Sequence, residues 1–156
     1  MTTREKLDLI KTYYQGCSAR DLDAMLATLH DDVTHYFLSP NVGDKPVSGA
    51  ERLADYWYRV QPRIQGRWVI DHIIGEGNEA VIEWSLYWTT EDDNRVATRG
   101  AEWYQFQDGR IREIRAYYQQ HPATSELRDF DYTGRGYSHS GCESADPEPI
   151  RVSEGI

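Results

Sequence analysis

The chain has 156 residues, enough for one domain with a buried core, and 17 basic against 26 acidic side chains leave a formal charge of −9. That balance argues against nucleic acid and anionic membranes as partners, since both require clustered Lys and Arg. No apolar run is long enough to span a membrane and no signal-peptide pattern opens the chain, so the expectation is a cytoplasmic protein.

Thr2 and Glu5 have capping-box spacing, and Leu7, Ile10, Tyr14 and Cys17 recur at helical intervals, which predicts a first helix over residues 3–16. Ser18-Ala19-Arg20-Asp21 opens a second helix, with Leu22, Met25, Leu26 and Leu29 inward. Val33 to Leu38 is β-branched and aromatic and reads as a strand, followed by a loop marked by Pro40, Asn41, Gly43 and Pro46. Ser48 and Glu51 repeat the capping-box spacing, and Leu53, Tyr56, Trp57, Val60 and Ile64 give a third helix an apolar stripe ending near Pro62. Four strands follow, over 67–76, 79–90, 95–107 and 110–119. Helices gathered before an antiparallel sheet make an α+β domain with the helices on one sheet face.

Residues 120–156 change character, with three Arg against seven acids and many Pro, Ser and Gly. Leu127, Phe130, Tyr132 and Tyr137 remain available for docking. The expected organisation is a folded unit over 1–119 and a tail over 120–156, docked on the domain or a partner subunit at first and disordered from Ser138 onward.

Two turns set the strand register. Asp108-Gly109 supplies a two-residue hairpin that places Phe106 opposite Ile111, Tyr104 opposite Glu113, Trp103 opposite Ile114 and Glu102 opposite Arg115. Gly77-Asn78 places Ile73 opposite Ile82 and Asp71 opposite Trp84. Alternation then sorts Glu83, Glu102, Glu113, Arg115, Tyr87, Tyr104 and Tyr117 onto one face. Asp71, Ile73, Ile82, Trp84, Leu86, Trp88, Ala101, Trp103, Ile114, Ala116 and Tyr118 fall on the other, which must be covered.

The segments ARDLDAMLATLHDDVTHYF, SGAERLADYW, EGNEAVIEW and GAEWYQFQDGRIREIRAYY resemble the nuclear transport factor 2-like superfamily, which includes ketosteroid isomerases, SnoaL-like polyketide cyclases and limonene epoxide hydrolases. The resemblance covers residues 3–119. It implies a curved sheet wrapped around helices into a cone with a blind apolar pocket, and a homodimer joined through the outer sheet face. Trp84, Leu86, Trp103, Ala116 and Tyr118 would then line the pocket with Phe37 and Trp57, while the acidic face points outward.

Desolvation moves the pKa values of inward polar groups, so those groups are the candidates for chemistry. His35 shares a strand face with Val33 and Phe37 and suits proton transfer alpha to a carbonyl; a hydrogen-bonded structural histidine is the alternative. Asp71 would orient it, unless it is a strand-end carboxylate or pairs with Arg99. Tyr13 matches the helix-1 tyrosine that the resembling ketosteroid isomerases use to hold the substrate oxygen, with Tyr14 the alternative if the helix is rotated. Arg99 and Tyr118 pair near one sheet end and could reach a ligand's polar head.

Departures from the resembling enzymes narrow the chemistry. Phe37 stands where ketosteroid isomerases carry their base. Trp84, Leu86 and Ala116 stand where limonene epoxide hydrolases carry an Asp–Arg–Asp set, and Gln119 and Gln120 end the strand that bears the acid/base Asp of SnoaL-like cyclases. No phosphate loop, nucleophile elbow, HExxH or paired-cysteine metal site is present in the sequence, so no cofactor or metal is expected. The reading is a cofactor-independent acid/base enzyme of isomerase, cyclase or dehydratase type for a small apolar carbonyl or polyketide-like molecule. The alternative is a non-catalytic ligand-binding or dimeric interaction domain.

Overall fold

The computed structural model describes residues 1–143 and 148–154. Helix α1 (Thr3–Ala19) begins with the expected capping box, in which the Glu5 amide donates to Thr2 Oγ1 and the Thr2 amide donates to the Glu5 carboxyl. Arg20 ends it in the left-handed conformation, and Asp21 caps α2 (Leu22–Thr28) by accepting from the Ala24 amide. On α2 Met25 is buried and Leu22 is exposed, because this short helix turns only one edge toward α1. Strand β1 (Leu29–Tyr36) starts four residues earlier than its β-branched core indicates.

The expected capping box at Ser48 is absent. Ser48 lies in the short strand β2 (Val47–Ser48), where its hydroxyl bonds Thr34 across the β1 pairing, and Gly49 caps α3 (Ala50–Ile64) without a side-chain bond. Helix α3 also runs through Pro62. Proline cannot donate to the carbonyl of Tyr58 four residues back, and Arg20 Nε does so instead at 2.9 Å with its guanidinium stacked on the Tyr58 ring.

Strands β3 (Arg67–Glu76), β4 (Glu79–Thr89), β5 (Arg95–Gln107) and β6 (Arg110–Tyr118) lie where the sequence places them. With β7 (Val152–Glu154) they form a seven-stranded open sheet in the order β2-β1-β6-β5-β4-β3-β7. The sheet is mixed, since β1 runs parallel to β6 and β7 parallel to β3. Helices α1 and α3 pack on one face, around Leu7, Ile10, Leu53, Ile73, Ile82 and Ile114.

Both hairpin turns form as expected, with Asp108 and Gly109 at positive φ and Ile73 opposite Ile82. Each adjoining ladder then carries a one-residue bulge. In β6 the pairing passes from Phe106↔Ile111 to Gln105↔Glu113, leaving Arg112 extra, so Tyr104 faces Ile114, Trp103 faces Arg115 and Glu102 faces Ala116. In β3 it passes from His72↔Glu83 to Ile70↔Trp84, leaving Asp71 extra. A slip of one residue exchanges the faces. Glu102 and Tyr104 therefore point into the core, while Trp103, Ala101 and Asp71 belong to the outer face.

The tail crosses that outer face. Ser125 bonds the β5 backbone at Ala97 and Arg99, and Phe130, Tyr132 and Tyr137 pack edge to face on one another. Ser138, where composition predicts the onset of disorder, is buried: its amide donates to Asp71 Oδ1, its carbonyl accepts from Arg99 and its hydroxyl bonds Tyr87. The Glu143 carbonyl accepts from Arg67, and β7 closes on β3. Composition does not register these partners because the sheet, not the tail, supplies them. Residues 144–147 and 155–156 of that expectation lie outside the described residues.

Asp71 receives two bonds at its buried carboxyl, from Ser85 Oγ at 2.5 Å and the Ser138 amide at 2.8 Å. Asp71→Ala is expected to cost about 2–4 kcal/mol in urea unfolding and to expose the segment around Ser138 to limited proteolysis. A variant as stable and as resistant as the parent would show that this knot does not hold the tail.

Candidate functional site

A cavity of about 110 Å³ lies between α3, β1 and the inner sheet face. Its walls are aromatic because three elements each turn one large side chain toward it: Phe37 after β1, Trp57 from α3 and Trp68 from β3, with Trp57 edge-on to Trp68 at 5.2 Å. The floor is formed by β4, β5 and β6. There Trp84, Gly100 and Tyr118 lie in one row across the strands, and Glu102 and Ala116 are paired in an adjoining row. Gly100 keeps the floor low, since a Cβ there would sit 2.6 Å from the Trp84 ring.

Glu102 is the carboxyl among the cavity-lining residues. Tyr14 of α1 and Tyr104 of β5 both donate to its Oε2, at 2.8 and 2.5 Å. Burial raises its pKa from 4.5 to about 7 against the lowering effect of the two phenols. Burial drives the Tyr14 and Tyr104 hydroxyls in turn well above the ordinary phenol range, with the Glu102 charge adding to it, so both remain protonated donors.

His35 also lines the cavity, stacked on Phe37 at 4.1 Å, and neither ring nitrogen has a partner among the described residues. Desolvation lowers its pKa from 6.5 to about 3, so the imidazole is neutral at physiological pH. The residue whose ordinary pKa lies nearest neutrality is thus driven away from it, and a carboxyl takes that place.

Of the other candidates read from the sequence, Phe37, Trp57, Trp84, Leu86, Ala116 and Tyr118 line the cavity with His35. Tyr14 stands behind it as a partner of Glu102. Tyr13 does not reach the cavity: its hydroxyl accepts from Trp57 Nε1 at 2.6 Å. Asp71, Arg99 and Trp103 lie across the sheet. Arg99 pairs with Glu126 at 3.0 Å and stacks on Tyr132 in the tail, and Trp103 is 40% exposed beneath the Arg115 guanidinium. Asp71 cannot orient His35 from there.

Strict alternation hid Glu102, yet a signal was present. Ile111 and Ile114 are three apart in a strand, as are Ile70 and Ile73, and all four are buried. An odd spacing between core residues of one strand requires an inserted residue between them.

No curated protein matches the chain. The SnoaL-like domain profile matches residues 10–114. The chain belongs to the SnoaL-like family. Its fold is that of the nuclear transport factor 2-like superfamily. A protein of unknown function with a cystatin-like fold from Methylobium petroleophilum PM1 is 32% identical, with a TM-score of 0.68 over 96% of this chain and 98% of that one. An M. tuberculosis LEH-like epoxide hydrolase is 24% identical, with a TM-score of 0.62 over 74% of this chain and 84% of that one. An NTF2-like protein of unknown function from Burkholderia pseudomallei K96243 is 18% identical, with a TM-score of 0.64 over 74% and 91%. Among the described residues no helix is long and apolar enough to cross a membrane.

The two shifted groups link to stability with opposite signs. The unfolded chain protonates His35 below 6.5 and the folded chain only below about 3, so this residue weakens the fold as pH falls through that window. Glu102 ionises above 4.5 when unfolded and above about 7 when folded, so its stabilising protonated form is lost as pH rises through that range. At about 1.36 kcal/mol per pKa unit each effect is on the order of 3–5 kcal/mol. Relative to the parent, Glu102→Gln should gain a stability that rises with pH between 4.5 and about 7, and His35→Phe one that falls with pH between about 3 and 6.5. Urea melts across pH test this, and parallel profiles for all three proteins would refute the two shifts.

Proposed function

We propose that the protein is a cofactor-independent acid/base enzyme of isomerase, cyclase or dehydratase type, acting on a small apolar carbonyl compound in the aromatic cavity. The observation that carries the reading is a carboxyl buried in that cavity with its pKa raised to about 7. Such a group is half ionised at neutral pH and can both take and return a proton. In the reaction Glu102 Oε1 removes the proton alpha to the carbonyl, the C–H electron pair becomes the enolate double bond, and the carbonyl oxygen takes the negative charge. Return of the proton to another carbon gives an isomer; its delivery to a departing β-hydroxyl releases water. Neutral His35 presents an N–H to the developing oxygen charge without itself carrying charge. Tyr14 and Tyr104 position the carboxyl, the orienting role that Asp71 has in the sequence-based expectation, and His35 takes the oxygen-holding role given there to Tyr13.

The test follows hydrogen–deuterium exchange at the alpha carbon of small cyclic ketones by NMR. Exchange should rise with pH through about 7 in the parent protein and fall roughly 100-fold or more in Glu102→Gln. Tyr14→Phe removes a bond that favours the ionised carboxyl, so its midpoint should move to higher pH. Equal exchange in Glu102→Gln and the parent would end this assignment.

The same reading includes a homodimer in a reducing cytoplasm. Tyr36, Arg115 and Trp103 lie in one row across β1, β6 and β5 on the half of the outer face that the tail leaves open, and Tyr117 stands beside them. Trp103 and Tyr117 are 40% and 52% exposed, a costly display of aromatic surface for a monomer. Both cysteines are unpaired, as a reducing compartment allows. Sedimentation equilibrium should give a dimer at micromolar concentration and a monomer for Trp103→Glu; a monomeric parent would refute the interface.

A further inference from the structure

The proton transfer makes no use of one polar group on the cavity floor. Trp84 is 4% exposed and its Nε1–H has no acceptor among the described residues. Other indoles of this wall spend theirs within the protein, Trp57 on the Tyr13 hydroxyl at 2.6 Å and Trp88 on Thr98 at 2.9 Å. Buried donors are almost always satisfied, so a lone one on a cavity wall marks the place where a bound molecule supplies the acceptor. The position of the indole is also fixed. It lies over Gly100, which has no side chain to displace it, with the Tyr118 ring 5.7 Å away.

The size of the cavity limits what that molecule is. A dry cavity of roughly 150 Å³ holds one benzene ring, and this one offers about 110 Å³. Its walls are aromatic pairs in contact, including His35 on Phe37 at 4.1 Å and Trp57 on Trp68 at 5.2 Å, so widening it would separate packed rings. A single six-membered ring fits with little adjustment, whereas a fused polycycle requires the wall to open.

We propose that the cavity selects a monocyclic ketone whose carbonyl oxygen accepts the Trp84 N–H, making Trp84 the specificity-determining residue. This rests on the reading of the cavity as the substrate site, but it is a statement about binding and holds whether or not Glu102 turns the ligand over. A hydrocarbon of the same shape leaves the indole donor unpaired and binds more weakly.

The experiment is calorimetric titration of the full chain with cyclohex-2-enone, with 1-methylcyclohexene as the oxygen-free isostere, and with a bicyclic tetralone and a steroid ketone as size controls. The monocyclic ketone should bind about tenfold or more tightly than its isostere, and the larger ketones should bind more weakly than the monocycle. Trp84→Phe should remove the preference for ketone over hydrocarbon, the two ligands being compared within the variant. The Trp84 indole N–H resonance of the parent gives a readout that needs no variant: it should shift downfield with the ketone and not with the hydrocarbon. Equal affinity for ketone and hydrocarbon, absence of binding by either, tighter binding of the steroid, or an unmoved indole resonance each overturns the proposal. Ketone binding that depends on Trp84 without alpha-proton exchange would sustain it and remove only the catalytic assignment.

Discussion

Parity along the strands decides this structure. Each side chain of a β-strand meets the opposite environment from its neighbour, so one inserted residue transfers every later side chain to the other face. The central β4–β5 ladder runs unbroken from Glu79↔Gln105 to Thr89↔Arg95, and each flanking strand carries one insertion, Asp71 in β3 and Arg112 in β6. Bulges also bend and twist the strand that bears them. The two insertions therefore help curve the sheet around α3 and at the same time choose what the resulting cavity contains.

What it contains is a carboxyl and an imidazole moved in opposite directions by one cause. Removing water disfavours the charged form of each, which raises an acid and lowers a base. Glu102 consequently arrives near neutrality while His35 leaves it. The two phenols on Oε2 moderate the shift of the carboxyl by stabilising its ionised form, and their own burial keeps them protonated so that they continue to donate.

The opposite face uses the same residue types for a structural end. Asp71 and Arg99 have the chemistry of an active-site pair, but they hold the tail: Asp71 accepts from Ser85 and Ser138, and Arg99 bridges Ser85, the Ser138 carbonyl and Glu126. Residue type alone does not separate these roles. What separates them is whether the polar atoms are already paired, as Asp71 and Arg99 are, or unpaired at the cavity, as in His35 and Trp84.

The sequence by itself determined the order of the three helices and the five longer strands, the helix starts at Thr2 and Asp21, the two hairpin turns and the docking aromatics of the tail, because each depends on neighbours a few residues away; the short β2 and β7 it did not. It also marked Phe37, Trp57, Trp84, Leu86, Ala116 and Tyr118 with His35 as facing one pocket, but set Trp103 and Arg99 among them, and those lie on the other face of the sheet. Tertiary structure alone decided that Glu102 turns inward and that Asp71, Arg99 and Trp103 turn outward. A bulge forms when the helices packed on the sheet reward the burial of Ile70 with Ile73, or Ile111 with Ile114, more than the unbroken ladder rewards regular pairing. That balance involves residues distant in sequence, and the unsatisfied nitrogens of His35 and Trp84 are likewise a property of what the folded chain brings, or fails to bring, beside them.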